Sequence, residues 1–262
     1  MPEGPLVLAE VRDHVGVVTL DNPAKRNALS AAITGRLVEV LDQLADADVR
    51  VVVLRAAADA SVWSAGQDIS ELPTSGRDPL AYADPLEKAL RAVRSFPAPV
   101  IAMVHGSVWG GAFDLVLSCD LVVADDTATF AITPANLGLP YNTAGLLHFT
   151  GRLPLNLVKE MFFTARPIDA EEARRWMVVN HLVPAAELEQ FTMELAATMV
   201  PKAPLAIAVL KEQLRVLTDY QPVAAEVFER IQGLRRRAYD SEDFLEGVHA
   251  FLEKRPPVFK GR

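Results

Sequence analysis

Residues 61–72 read SVWSAGQDISEL and follow VVVLRA, a continuous apolar run rich in β-branched residues that predicts a buried strand. Gly66 interrupts the apolar pattern just before a short helical pattern begins. A glycine lets the backbone turn sharply and lets another group approach closely. The first N–H groups of a helix have no partner within that helix. The stretch therefore predicts either an ordinary turn or a backbone site for a negatively charged oxygen.

A second junction of the same kind lies at Gly110-Gly111, where WGGAFDLVLSC opens a short helix after another strand-like run. Each glycine motif alone is weak, since tight turns with close packing are common. Two N–H groups from separate strand-to-helix junctions can converge on one oxygen, which is the geometry of an oxyanion hole. The pair indicates a backbone anion site more strongly than either motif does.

Composition restricts the class of protein. The chain has 262 residues, half of them hydrophobic, and a formal net charge of −8. This length supports one full core, and the acidic balance disfavours a nucleic-acid partner. The single cysteine, Cys119, excludes an internal disulfide and suits a reducing compartment. The first residues lack a secretory pattern and no apolar run suits a membrane span, so we expect a cytoplasmic protein without a membrane partner.

Strands dominate the first half of the chain and helices the second. A helix is predicted from the cap Ser30 to about Ala45, and another ends before Pro97 and Pro99. VIAMVHGSV and DLVVADDTATFAIT are each interpreted as one buried strand. From about Asn142 onward the pattern is helical, including a long amphipathic run from Ala185 and two further helices. The sequence therefore predicts an α/β fold with a helical C-terminal extension.

Several motifs together resemble one known family. SAGQDISEL followed by HGSVWGGAFDLVLSCDLVVA, with NPAKRNALS and LGLPYNTAG, is similar to the crotonase, or enoyl-CoA hydratase/isomerase, superfamily over essentially the whole chain. The resemblance implies a spiral of ββα units over residues 1–200 that holds an acyl-CoA thioester. It also implies that residues 201–262 form a helical region for oligomerisation and for the CoA pocket. Trimers or hexamers are the assemblies it implies.

The resemblance also implies site residues. Its oxyanion-hole donors correspond to the amides of Gln67 and Gly111. Residues implied to bind the substrate are Lys25, Ala65, Gly66, Asp68, Ile69, Gly110, Asp114, Thr133 and Lys254. Lys254 is expected to act either in its own subunit or across a subunit boundary.

The reaction depends on whether two acids face the substrate. Hydratases of the superfamily use a pair of carboxylates for acid–base addition of water. Here the first position holds Asp114, one methylene shorter than the usual glutamate, and the second falls on Pro134 or Ala135 in TPANLG. Neither residue exchanges a proton, which argues against hydration.

Segments along the whole length resemble one branch of the superfamily, the methylmalonyl-CoA decarboxylases. They are GRDPLAYADPL, SVWGGAF, TPANLGLPYN and the late FERIQG and YDSEDFLEG. The branch implies loss of CO₂ through an enolate, with neither metal nor organic cofactor. Gln67 stands where the branch typically has a histidine, although the backbone donor is kept. Tyr141 and Thr133 offer hydroxyls to orient the carboxylate, and Trp109, Phe113 and Leu139 are expected to line an apolar pocket.

Other interpretations of these residues stay open. Asp114 suits a structural role near a helix N-terminus as well as a chemical one, and His105 and Cys119 suit the core. Two further functions are considered: a hydratase or isomerase that uses Asp114 alone, and a non-catalytic CoA-binding oligomer. The missing second acid disfavours the hydratase or isomerase. The intact pair of glycine junctions disfavours the non-catalytic oligomer.

Overall fold

The computed structural model describes residues 5–72, 81–219 and 223–262. Part of the predicted loop GRDPLAYADPL, residues 76–80, lies outside the described residues. The strands are β1 Val7–Arg12, β2 Val15–Leu20, β3 Val51–Ala56, β4 Val62–Ser64, β5 Val100–Val104, β6 Ser107–Trp109, β7 Leu121–Asp125, β8 Thr129–Ala131, β9 Ile168–Asp169 and β10 His181–Val183. The helices are α1 Ala31–Ala45, α2 Pro85–Ser95, α3 Gly111–Ser118, α4 Thr143–Arg152, α5 Leu155–Thr164, α6 Ala170–Arg175, α7 Leu188–Met199, α8 Pro204–Asp219, α9 Ala225–Tyr239 and α10 Glu242–Leu252.

The strands form two sheets, and the chain alternates between them. One sheet has the order β1-β2-β3-β5-β7-β10 and the other β4-β6-β8-β9. The units β3-β4-α2 and β5-β6-α3 each place one strand in each sheet and then a helix, and β7-β8 repeats the strand pair before α4. Equivalent strands pair in parallel. This arrangement confirms the expected spiral of ββα units.

Two segments that were interpreted as single strands are each two strands. VIAMVHGSV divides into β5 and β6, which lie in different sheets, with Gly106 at φ +65° between them. DLVVADDTATFAIT divides into β7 and β8, and the Asp125 carboxylate accepts hydrogen bonds from the Thr127 N–H and hydroxyl in the intervening turn. Because the residues on both sides of each corner are apolar, hydropathy alone shows one run.

Local signals explain the well-predicted elements. The Ser30 side chain accepts a hydrogen bond from the Ile33 N–H and caps α1, which ends at Ala45 as expected. All of β2 and β5 is buried, as is nearly all of β3. A strand covered on both faces requires such a continuous apolar run. The α2 helix ends at Ser95, two residues before Pro97.

The long amphipathic run from Ala185 is not one helix, which corrects that prediction. It divides into α7 and α8, and the chain bends by 105° between them, where Pro201 and Pro204 interrupt the pattern. Within the described ranges no single helix has the length and apolar character of a membrane span, and only this bent pair passes by length and composition. Among the described residues, three helices, α8 to α10, follow α7 instead of the two expected further helices.

Candidate active site

The two glycine junctions meet because the strands before them are neighbours. β4 pairs with β6 in parallel, so their carboxyl ends lie at the same edge of the smaller sheet. Gly66 and Gly110 have φ values of +83° and +52°, which favour glycine. A Cβ on Gly66 would meet the carbonyl of Trp109 and would lie 3.4 Å from the Gly111 nitrogen. The Gln67 nitrogen lies 3.6 Å from the position of a Cβ on Gly111.

Both expected donor groups are unused. The bridge between Leu29 and Gln67 is made by the Gly66 carbonyl and the Asp68 N–H, not by the Gln67 N–H. Gly111 is the first residue of α3, so its N–H has no partner within the helix. Within the described part of the chain, neither N–H donates to another protein group.

The helix expected at Gln67 begins later and is shorter. Asp68 caps a single 3-10 turn, Ile69–Glu71, by accepting a hydrogen bond from the Ser70 N–H at 3.0 Å. Only the Gly111 junction therefore contributes the N-terminus of an α-helix, whose partial positive charge lies beside the two donors.

A cavity of about 260 Å³ opens at this edge of the sheet. Its lining contains eight of the expected site residues: Ala65, Gly66, Gln67, Ile69, Gly110, Gly111, Thr133 and Tyr141. The remaining wall is mostly apolar and consists of Leu72, Leu86, Trp109, Pro134, Asn136, Leu137, Leu139 and Phe251. The geometry thus combines two backbone donors with a hydrophobic chamber.

Acid–base groups are scarce in this wall. Among the described lining residues, Tyr141 is the only one whose side chain titrates, and none carries a carboxylate. Pro134, one of the two positions for the second acid, is buried in the wall, whereas Ala135 is exposed and outside it. A pair of carboxylates facing the substrate is therefore missing from the described cavity.

Asp114 lies behind the wall instead of in it. Its side chain is fully buried and accepts a hydrogen bond from the Tyr141 hydroxyl at 2.9 Å. Burial and the neighbouring Asp114 carboxylate raise the pKa of Tyr141 well above its ordinary value of 10. The expected substrate contact of Asp114 is thus replaced by a contact with Tyr141. The Tyr141 hydrogen points into the protein, and the hydroxyl is not free to orient a ligand by donating.

Of the two hydroxyls that were expected to orient a carboxylate, that of Thr133 has no protein partner among the described residues, whereas that of Tyr141 donates to Asp114. Thr133 follows β8, the third strand at this edge, and lies 3.9 Å from the position of a Cβ on Gly110. It precedes the 3-10 turn Pro134–Leu137 but makes no capping hydrogen bond with its side chain. Among the described residues its hydroxyl has no protein partner, so it is available to a ligand.

Four other expected residues lie outside the cavity wall. Lys25 forms an ion pair of 3.1 Å with Asp68 on the outer side of the first junction. Partial burial favours a higher pKa for Asp68, but hydrogen bonds from Ser70 and Lys25 outweigh it and lower that pKa. Lys254 is exposed just beyond α10, three residues after Phe251. Phe113 is completely buried among Phe130 and Phe149 in the core, which corrects its expected place in the pocket.

Sequence reasoning missed His148 and Arg94, which lie behind Tyr141, and it missed Phe251 of α10, which lines the cavity. His148 on α4 contacts Asp114 at 2.8 Å, and Arg94 on α2 contacts His148 at 2.8 Å. A histidine within the apolar pattern GLLHFTGRL was the only sequence signal for this cluster. Phe251 reaches the cavity from α10 with no local signal at all.

The chain is similar over nearly its whole length to proteins of one family. Residues 10–262 match the family described as enoyl-CoA hydratase/isomerase. Methylmalonyl-CoA decarboxylase of Escherichia coli (strain K12) is 49% identical to the chain over 249 residues, 95% of each protein. Carnitinyl-CoA dehydratase of Shigella flexneri is 39% identical over 255 residues, 94% of each. The crystal structure of a methylmalonyl-CoA decarboxylase complexed with 2S-carboxypropyl CoA superposes with a TM-score of 0.97 at 47% identity, covering 99% of this chain and 100% of that one.

Proposed function

The chain belongs to the enoyl-CoA hydratase/isomerase family, and we propose that it is a carboxy-lyase that converts methylmalonyl-CoA to propionyl-CoA and CO₂. The observation that carries this proposal is a cavity with two unused backbone donors and no carboxylate pair. The similarity to a methylmalonyl-CoA decarboxylase over 95% of both chains supports the same substrate.

The donors act on the charge that develops during bond cleavage. The bond between the α-carbon and the carboxylate breaks, CO₂ leaves, and the electron pair forms an enolate whose charge gathers on the thioester oxygen. The N–H groups of Gln67 and Gly111 stabilise that oxygen, and loss of one such donor costs about 10²–10³ in rate. A proton from water then adds to the α-carbon and gives propionyl-CoA. No general base is needed for cleavage.

The wall around the carboxylate favours the neutral product. Trp109, Leu139 and Leu86 make that wall apolar, and a carboxylate loses more solvation against it than CO₂ does. The free hydroxyl of Thr133 is the group we assign to orienting the substrate carboxylate.

Hydration is the reaction that the same cavity does not favour. Addition of water to an enoyl thioester requires groups that give and take protons at both ends of the double bond. Pro134 occupies one place in the described wall where the superfamily has its second acid. Asp114 lies behind the wall and accepts a hydrogen bond from Tyr141.

The proposal is tested by incubating the pure protein with methylmalonyl-CoA and measuring CO₂ and propionyl-CoA. We expect both products in equal amounts, at the same rate with and without a chelator, because backbone amides supply the charge stabilisation. Crotonyl-CoA is the matched substrate, and we expect its hydration to stay far below about 10 s⁻¹, a median turnover number for enzymes. Hydration of crotonyl-CoA at that rate, with no release of CO₂ from methylmalonyl-CoA, would contradict the proposal and identify the protein as a hydratase.

We further propose a trimer or hexamer in a cytoplasmic compartment. Large apolar side chains are exposed along α8 and α9, among them Leu205 at 81% and Leu217 at 75% of their full surface. Lys25 and Lys254 are exposed cations near the cavity, and we propose that they contact the CoA phosphates. Lys254 would contact the CoA bound to its own subunit or the CoA bound to a neighbouring one. The division between a core over residues 1–200 and an assembly region over 201–262 stays a prediction.

A further inference from the structure

A chain of hydrogen bonds runs from the cavity wall into the protein behind Tyr141. The Tyr141 hydroxyl contacts Asp114 Oδ2 at 2.9 Å, and His148 Nδ1 contacts Asp114 Oδ1 at 2.8 Å. Arg94 contacts the other ring nitrogen of His148 at 2.8 Å and also pairs with Asp219. All of Asp114 and nearly all of the His148 side chain are buried, so water does not compete for these bonds.

The direction of each hydrogen follows from Arg94. An arginine only donates, so the nitrogen of His148 that faces Arg94 is an acceptor and the opposite nitrogen, Nδ1, carries the hydrogen. His148 therefore donates to one oxygen of Asp114, and the Tyr141 hydroxyl donates to the other. Each oxygen of the Asp114 carboxylate therefore accepts one hydrogen bond.

The ring of Tyr141 has little freedom to escape this arrangement. It packs edge-on against Phe149 and Phe162, with centroids 6.1 and 5.4 Å away. The hydroxyl torsion is the remaining variable, and Asp114 determines it. Tyr141 thus lines the cavity without offering it a hydrogen-bond donor.

We propose that Asp114, His148 and Arg94 are positioning residues that withhold the hydroxyl hydrogen of Tyr141 from the substrate carboxylate. This inference rests on the proposed decarboxylation. A carboxylate beside Tyr141 receives no hydrogen bond from it and is repelled by the buried negative charge of Asp114, whereas neutral CO₂ carries no net charge to be repelled. The arrangement disfavours the charged ground state and leaves Thr133 as the donor that holds it. Removing the repulsion should therefore tighten binding of a ligand that carries a carboxylate, and it should slow the release of CO₂ from methylmalonyl-CoA.

The first test is binding of 2S-carboxypropyl-CoA, measured by calorimetry. This compound keeps a carboxylate but has no thioester carbonyl to receive the electron pair. We expect Tyr141→Phe to bind it within about twofold of the unchanged protein or somewhat tighter, and Thr133→Val to bind it about tenfold more weakly, the effect of one hydrogen bond to a charged group. Tenfold weaker binding by Tyr141→Phe would show that Tyr141 donates, and would overturn the proposal. Propionyl-CoA, which lacks the carboxylate, is the control ligand for both variants.

The second test reverses the Tyr141 hydroxyl. In Asp114→Asn, the His148 N–H requires the amide oxygen on its side, so the amide nitrogen faces Tyr141 and donates to it. The tyrosine hydrogen is then free to point into the cavity. We expect about tenfold tighter binding of 2S-carboxypropyl-CoA, unchanged binding of propionyl-CoA, and a lower kcat together with a lower KM for methylmalonyl-CoA.

Two double variants separate positioning from a merely structural role. Tyr141→Phe combined with Asp114→Asn should abolish the tightening, because no hydroxyl remains to turn. His148→Ala combined with Asp114→Asn should also abolish it, because the amide can then rotate and accept from Tyr141 again. Equal weakening of both ligands by Asp114→Asn would contradict the proposal. Because binding is measured without turnover, its failure is distinct from a failure to release CO₂.

Discussion

At the scale of single residues, the site depends on groups whose side chains are small or missing. Gly66 and Gly110 adopt positive φ, and Gly111 allows Leu86 to approach so closely that a Cβ would lie 2.6 Å from Leu86 Cδ2. These glycines bring two amides to one point, and the amides act without any side chain. Substitution at Gly111 can therefore separate the effect of bulk from the effect of the N–H.

Gly111→Pro should lower kcat by about 10²–10³ because it deletes one of the two donors to the enolate oxygen. Gly111→Ala is the matched control, since both variants place a Cβ against Leu86 but only alanine keeps the N–H. Steady-state CO₂ release from methylmalonyl-CoA measures the difference. If both variants lose activity equally, then steric displacement explains the loss and the donor does not.

Glu87 gives a prediction about pH and stability. It is 3% exposed and accepts a hydrogen bond from the Asn142 side chain. Burial raises its pKa above the ordinary 4.5, and the nearby Asp114 adds to this effect. The folded state therefore holds the proton more tightly than the unfolded state does. This contribution to stability is complete below pH 4.5 and is lost as pH rises through the folded-state pKa.

Glu87→Gln should accordingly be more stable than the unchanged protein at pH 8, by about 1 kcal/mol, with the advantage disappearing as the pH falls toward 4.5. Urea unfolding at several pH values measures it. Glu39→Gln, at an exposed position of α1 paired with Arg36, is the control and should change stability by less than about 0.5 kcal/mol at any pH. An advantage of Glu87→Gln that grows as pH falls would contradict this account.

At the scale of elements, the C-terminal helix α10 closes the cavity by direct contact between backbones. A Cβ on Gly247 of α10 would lie 2.7 Å from the Leu137 Cα, and a Cβ on Gly138 would lie 2.7 Å from the Asp243 carbonyl oxygen. Leu137 belongs to the 3-10 turn that also supplies Pro134 and Asn136 to the wall. The position of α10 and the shape of the cavity are therefore coupled.

Gly247→Ala should displace α10, destabilise the protein by about 1–3 kcal/mol and raise KM for methylmalonyl-CoA, because Phe251 moves with the helix. Denaturant unfolding and steady-state kinetics measure both effects. Gly233→Ala on α9 is the control, since nothing lies within 4 Å of its Cβ position. It should stabilise the protein by up to about 1 kcal/mol and leave KM unchanged. Similar behaviour of the two variants would rule out the close contact as the cause.

At the scale of the whole molecule, the apolar surface is distributed unevenly. The strands β2, β3 and β5 of the six-stranded sheet are almost entirely buried, whereas α8 contributes no buried residue and exposes Leu205, Leu210, Leu214 and Leu217. Contiguous exposed apolar surface of this kind is typical of a protein interface. The uncovered helices are the physical basis for the trimer or hexamer proposed above.

Light scattering at micromolar concentration should therefore give the mass of a trimer or hexamer, and Leu217→Glu should shift it toward the monomer because the charge would be buried in the interface. Asp42→Lys on the exposed side of α1 is a control that also changes charge and should leave the mass unchanged. A stable monomer of the unchanged protein would contradict the assembly.

Local pattern was enough for much of the fold and for the centre of the site. The apolar run of β3, the Ser30 cap and the two glycine junctions are short-range features, because strand burial, capping and positive φ each depend on a few neighbouring residues. The missing second acid at Pro134 or Ala135 was likewise visible without coordinates. These features predicted the buried strands, the cap and the two glycine junctions, whereas the ββα spiral, the two amide donors and the place of the missing acid were implied by the resemblance to the family.

Only the tertiary structure decided which residues lie behind the cavity wall. Asp114 and Tyr141 are 27 residues apart, and Asp114 and His148 are 34 apart, so no local period predicts that they share hydrogen bonds. Asp114 was expected to face the substrate and Phe113 to line the pocket, yet both are buried because α3 packs against α2 and α4. The direction of the Tyr141 hydroxyl, and with it the polarity of the cavity wall, depends on which buried groups the folded chain brings together.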